Sequence, residues 1–484
     1  MWNQLCFVIL VAFQTLGWSR AEVVGITHLD TDPIWSLGPA AINFRASQAA
    51  ALTTFLDMQY ATWWGANGTL RVARRLLHPT GDWQITAVNG QIDASNAGET
   101  AFTTTSYAEL SVATEHTPNI AISAIDGRIH LSFNGGGTVI NYIASESGLA
   151  LASGKKKSWH WGRFSSTMTT LNGTALPANP LFPRFIVTGN TVQLYYMPGA
   201  FNGNSSVELA EYSNTTMKWV SLGRFVSWDG SYTTPTTYTP LSSTTTKTST
   251  ARSLLPHGIL MKNNRLHLYG VWAENAYVSC AGYSGINNHD TVYVYSDDWG
   301  RTWKTAAGTT VGITGSTTLI RVSTTGIIAD AQLADRAIRN GESMEVDNNG
   351  RPMGLSSYVD PSYVACANYS HRATYAQPFL IARAATGTSH TRIPVPFLIG
   401  RVGMSTVVVD DRNNAYVLMS GLRVVRATAA SGYTDWKMMW NGANEGLLSV
   451  TDPTVDRARI QADGVISILY QSTKGISVID IAMY

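Results

Sequence analysis

Along this chain, short turns rich in Asn, Asp and Gly recur, and each leads into a run of alternating apolar and polar residues. The turns are Asn67-Gly68, Asp126-Gly127, Gly189-Asn190, Asn263-Asn264, Asn348-Asn349-Gly350, Asn413-Asn414 and Asp463-Gly464. Asn-Gly and Asp-Gly pairs supply positive φ at little steric penalty, and period-2 alternation marks a half-buried strand, so each unit predicts a β-hairpin. Helical periodicity is nearly absent. Ala46 to Phe55 has the composition of a helical turn or two, but its continuation reads as strand. Seven hairpin signals, spaced by about 50–85 residues, predict an all-β fold: a seven-bladed β-propeller of four-stranded antiparallel blades with elaborated loops. The rival arrangement is a pair of packed β-sandwiches. Tyr232 to Arg252 is a Ser/Thr/Pro tract and reads as an exposed loop insertion within one domain spanning 22–484.

The first residues alter the picture of where the protein works. Leu5 to Phe13 is an apolar run too short to span a bilayer, and Ser19-Arg20-Ala21 offers a cleavage site. This predicts a signal peptide over residues 1–21 and a secreted, soluble product with no membrane partner. Five N-x-S/T sequons, at Asn67, Asn172, Asn204, Asn214 and Asn368, agree with secretion and mark expected glycosylation sites. Cys280 and Cys366 remain after cleavage, and an even pair in an oxidising compartment predicts a disulfide, with two buried thiols as the alternative.

Charge then excludes a class. Net charge is +2 and only 14% of residues are charged, so nucleic acid is not an expected partner. Lys155-Lys156-Lys157 is a short basic run on a solvated loop. Fifteen Trp and twenty-one Tyr suit sugar stacking and a large β core equally well.

Ser296-Asp297-Asp298-Trp299-Gly300-Arg301-Thr302-Trp303 matches the Asp-box, S-x-D-x-G-x-T-W. It is a folding device: the Asp caps a hairpin turn, the Gly takes its special backbone conformation, and the Trp packs between sheets. It speaks for a propeller and says little about activity.

The order of several stretches resembles the BNR-repeat propellers that include ulvan lyases and rhamnose–glucuronate lyases. They are Gln59-Tyr60 with Arg74-Arg75, Glu115-His116-Thr117-Pro118-Asn119, Gly127 to Leu131, Leu181 to Phe185, Asn288-His289-Asp290, and Glu342 to Met344 with Asp347 and Gly350-Arg351-Pro352. The resemblance implies β-elimination on an anionic polysaccharide containing uronic acid. That reaction needs a group to neutralise the carboxylate, a base for the C5 proton and an acid for the leaving oxygen. By resemblance, His116 and His130 occupy the family's histidine positions. The chain departs from the pattern where Phe182 stands in place of a Tyr, where Met197-Pro198-Gly199 replaces an Arg before Gly, and where Val271-Trp272-Ala273-Glu274 lacks a further Arg expected after Val-Trp. A rebuilt site would draw on Tyr196 as a catalytic group, with Arg184, Tyr195, His257 and Glu274 contacting substrate. The resemblance also implies a structural calcium in the channel, although no compact acidic cluster announces one. A glycan-binding propeller without catalysis is the alternative, and a sialidase-like hydrolase, prompted by the Asp-box and Phe44-Arg45, is a third reading.

Overall fold

The computed structural model describes residues 21–31, 50–65, 68–91, 117–133, 139–189, 191–199, 204–233, 248–274, 287–364, 367, 369–400, 403–449 and 451–484. Seven antiparallel sheets follow one another along the chain. Blade 1 comprises Leu52–Phe55, Met58–Trp64, Thr69–Leu76 and Gln84–Gln91. Blade 2 comprises Asn119–Ile122, Ile129–Phe133 and Asn141–Ala144, with Phe164 and Met168 bridging the last strand as a fourth, irregular partner. Blade 3 comprises Pro180–Val187, Val192–Pro198, Val207–Ser213 and Lys218–Val226. Blade 4 is built on Arg252–Lys262, Arg265–Glu274, Asn287–Ser296 and Thr302–Lys304, and two short strands, Thr310–Ile313 and Ile328–Asp330, extend it. Blade 5 comprises Ser343–Val346, Pro352–Val359, Ala376–Arg383 and His390–Pro394. Blade 6 comprises Thr406–Val409, Ala415–Met419, Arg423–Ala427 and Lys437–Asn441.

Blade 7 closes the ring. Its first three strands, Thr454–Val455, Val465–Ser472 and Gly475–Met483, come from the end of the chain, and its outer strand is Ala21–Asp30. The fold is therefore the seven-bladed propeller that the turns predict. Seven apolar clusters, one between each pair of successive blades, hold it together: Leu181 to Phe379 around blades 3 and 4, for example, and Leu29, Trp63 and Val478 between blades 7 and 1. Each large apolar side chain buried there contributes about 1.5–3 kcal/mol.

Ionic links reinforce the closing joint. Arg75 reaches Asp480 at 2.7 Å, Arg459 meets the other oxygen of that carboxylate at 2.5 Å, and Gln59 accepts from Arg75 while donating to Asp456. Gln59 and Arg75 thus bind blade 1 to blade 7. Arg74 instead anchors the loop at 154–159, donating to the carbonyls of Gly154 and Lys157 with its guanidinium over Trp159. In that loop Lys155 pairs with Asp57 and Lys157 with Glu146, as fits a solvated loop.

Six of the seven turn signals lie between the first and second strands of blades 2 to 7. The exception is Asn67-Gly68, which falls between the second and third strands of blade 1. The first turn of that blade is Leu56-Asp57, with Leu56 at φ 55°. Leu52–Phe55 is strand, as its continuation reads, and residues 46–49 lie outside the described residues. Among the described residues, two short α-helices of seven residues each, Tyr369–Tyr375 and Arg457–Asp463, decorate the ring.

The Asp-box forms the turn between the third and fourth strands of blade 4. Asp298 accepts from the Arg301 and Thr302 amides and from the Thr302 hydroxyl, and Ser296 accepts from Gly300, whose φ is +82°. Trp303 is fully buried and stacks on Phe225 of blade 3 at 4.4 Å. Arg301 and Glu211 add a bidentate pair across the same joint.

The Ser/Thr-rich tract differs from its sequence reading at both ends. Tyr232–Thr233 and Thr248–Ser249 pair as a short ribbon, and Arg252 is a buried strand residue rather than part of an exposed loop. Residues 234–247 lie outside the described residues.

Candidate functional site

Each blade has two edges. The turn edge carries the connections from strand 1 to 2 and from 3 to 4, including the Asp-box. The crossover edge carries the connections from strand 2 to 3 and onward to the next blade. The residues expected to share one pocket separate between these levels.

His130 follows the first turn of blade 2 and so lies toward the turn edge. Its side chain is fully buried among Tyr142, Phe185, Tyr212 and Trp219, with the Tyr212 ring centroid 4.5 Å away. Nδ1 shares a 2.6 Å hydrogen bond with the Tyr142 hydroxyl. Burial pulls the imidazole pKa down to about 3, against a smaller opposing effect of Asp126, so the ring is neutral. The structure thus places His130 inside an enclosing aromatic core rather than at an open cleft.

Tyr195 and Tyr196 point to opposite faces of their strand, as alternation requires. Tyr195 packs toward blade 4 and pairs in register with Arg184; burial raises the Tyr195 pKa to about 12. Arg184 is buried and donates to the Pro183 carbonyl at 2.9 Å. Tyr196 packs toward blade 2, nearer the crossover edge, and donates to Glu208 at 3.0 Å. Burial and the neighbouring carboxylate both raise its pKa, and burial also raises that of Glu208. All three predicted side chains, Tyr195, Tyr196 and Arg184, are closed off from solvent by blade packing.

Glu274 ends the second strand of blade 4 at the crossover edge. It accepts from Arg252 Nε at 2.7 Å and lies 3.1 Å from His289 Nε2, whose Nδ1 is 3.0 Å from Asp290. Arg252 also donates to the carbonyls of Trp228, Gly230 and Ser249. Burial alone would lower the His289 pKa, but the hydrogen bonds and charges of Asp290 and Glu274 raise it above the usual histidine value. The Tyr232 ring lies flat on His289, with centroids 3.7 Å apart, and is partly exposed. Burial and the charges of Asp290, Glu274 and Asp335 raise the Tyr232 pKa and keep its hydroxyl protonated. Glu274 is therefore an internal ion-pair partner in this structure. Arg252 and Tyr232 escaped the sequence reading because the Ser/Thr-rich composition between them masks two anchors; the Asn288-His289-Asp290 stretch was the available signal.

His257, in the inner strand of blade 4, is buried and accepts from the Glu342 amide at 2.8 Å. Burial lowers its pKa to about 3. The His257 side chain is thus enclosed within the blade packing. Burial raises the Glu342 pKa to about 7 against hydrogen bonds from the Ser405 and Ser357 amides and the Ser357 hydroxyl.

His116, Cys280, Cys366, Asn67 and Asn368 lie outside the described residues, as does the segment 1–20. Asn172 and Asn204 are exposed and Asn214 is partly exposed, Asn172 and Asn214 in turns. Among the described residues no three His, Cys, Asp or Glu side chains are grouped to hold a metal, and the carboxylates of Glu342 and Asp456 are turned to amide and side-chain donors. The calcium that the resemblance implies finds no fitting side-chain set there. No described helix is long and apolar enough to cross a membrane.

A model of the BNR repeat-containing family matches residues 58–395, more than two thirds of the chain. The chain belongs to this family. No curated protein matches it. Among solved structures, this BNR-repeat propeller is similar to the polysaccharide lyase Uly1, with TM-score 0.61 and 13% identity over 94% of this chain and 92% of the lyase. It is also similar to a PL25 ulvan lyase bound to -[GlcA(1-4)Rha3S]-, with TM-score 0.63 and 12% identity over 93% of this chain and 94% of the lyase. These likenesses are of fold.

Proposed function

We propose that this BNR-repeat propeller is a secreted, glycosylated, carbohydrate-active protein that takes anionic glycans containing uronic acid at its crossover edge and cleaves them by β-elimination. The observation that carries the reading is the cluster of Tyr232, His289, Glu274 and Arg252 at that edge, in a chain that matches the fold of two polysaccharide lyases over 93–94% of its length. In the reaction a base takes the C5 proton, the C4–O bond breaks as the C4–C5 double bond forms, and the leaving oxygen takes a proton. His116 is the proposed base. Tyr232, protonated and partly exposed, suits the acid role better than the enclosed Tyr196. His289 fixes the Tyr232 ring, and Arg252 and Glu274 fix His289.

A second reading, glycan binding without turnover, is favoured by Met197 at the position of the neutralising Arg and by the burial of Arg184. Incubation with ulvan separates the two. Unsaturated uronate ends support elimination, whereas retained binding without new ends supports the second reading.

A further inference from the structure

At the turn edge of blades 5 and 6, opposite the crossover edge, lies a cleft of about 600 Å³, within the size range of small-ligand sites. Asp347 and Asn349 to Arg351 form one wall, Arg383 to Ala385 with Gly387 a second, and Asn413, Ala429 and Tyr433 the third. We propose that this cleft binds a compact oxyanion carried on a sugar, the carboxylate of a uronic acid or a sulfate ester.

Arg351 is the cation that faces the cleft, because the Arg383 guanidinium turns to the joint with blade 4, onto the Ala306 carbonyl and beside Tyr293. Asp347 is committed to its own turn, accepting from the Asn349 and Arg351 amides at 3.0 and 2.8 Å. Arg351 is held by its Nε, which donates to the Arg383 carbonyl, and by its contact with the Tyr433 ring at 5.3 Å. Its terminal nitrogens bond no described residue, which leaves the fork that recognises carboxylate and sulfate bidentately. Arg383 is fixed by the carbonyls of Ala306 and Gly387, both at 3.2 Å. The rest of the lining is small. Gly387, at φ +85°, has open space where a Cβ would stand, and Ala384, Ala385 and Ala429 leave room beyond a bare ion for a sugar ring. The Tyr433 hydroxyl is already bonded to the Asn413 carbonyl, so the ring serves as a rigid wall. This site is independent of the chemistry proposed for the crossover edge.

The test is calorimetric titration of the full chain with glucuronate and, separately, with inorganic sulfate. The expected result is that at least one binds and that Arg351→Gln weakens it at least tenfold. Ala429→Glu should do the same by adding a carboxylate while removing no contact. Binding of glucuronate alone assigns the carboxylate, and binding of sulfate alone assigns the ester. Binding of neither, or binding unchanged in both variants, overturns the proposal. Glucuronate held at the crossover edge would survive both substitutions, so failure here is distinct from failure of the lyase reading.

Discussion

Arg252 Nε and Glu274 Oε1 lie 2.7 Å apart at the crossover edge of blade 4, with both side chains fully buried. The two residues are cross-strand partners in register. The buried Glu274 carboxylate is thus answered by a guanidinium on the neighbouring strand. Removing one partner strands a buried charge: Glu274→Ala should destabilise the protein by about 3–5 kcal/mol, measured by denaturant unfolding. The double change Arg252→Met with Glu274→Leu should recover most of that loss, and no recovery would contradict the assignment.

His289 ties the same network to pH. Its pKa is raised in the fold, so its stabilising contribution is fully present below the unfolded value of about 6.5 and declines as pH rises through the folded value. The thermal stability of the wild type should therefore fall as pH rises above about 6.5. His289→Gln should flatten the dependence, and an unchanged slope would count against a buried imidazolium.

The two histidines in the family's positions should behave differently. His130→Ala opens a cavity in an aromatic core and removes a 2.6 Å hydrogen bond, so it should destabilise by about 3 kcal/mol. His116→Ala, under the proposed reading, abolishes turnover and leaves thermal unfolding nearly unchanged. Equal stability losses in both variants would make His116 structural.

The ring closure predicts an acid response. Burial disfavours the Asp480 carboxylate, but Arg75 and Arg459 outweigh it and hold its pKa below the usual value. That stabilisation is present above the unfolded pKa and lost as pH falls through the folded one. Asp480→Asn should remove this acid-side loss while destabilising the neutral-pH protein by about 3–5 kcal/mol, as read by unfolding across pH. A variant as stable as wild type at neutral pH would show that the joint rests on apolar packing alone.

The propeller was legible because its turns are local. Asn263 and Asn264 at φ 50° and 58°, and Gly350 and Gly464 at 77° and 65°, take the conformations that their residue types announce. Leu56 takes the same conformation without the announcing residue, so the first hairpin of blade 1 carries no signal in the sequence. The site was less legible, because burial is a tertiary property. Nothing in the alternation around His130 or Tyr196 distinguishes a side chain facing a cleft from one clamped by the next blade. Arg252 and Tyr232 flank a low-complexity tract, and their joint relation to His289 exists only after blade 4 has folded.

The central claim is β-elimination at the crossover edge. The direct measurement is ultraviolet absorbance of the unsaturated uronate during incubation of the full chain with ulvan, run beside Tyr232→Phe. The account predicts a steady rise for the wild type and a rate at least tenfold lower for the variant. No rise with the wild type, despite retained binding to immobilised ulvan, would contradict the lyase reading and leave a glycan-binding propeller.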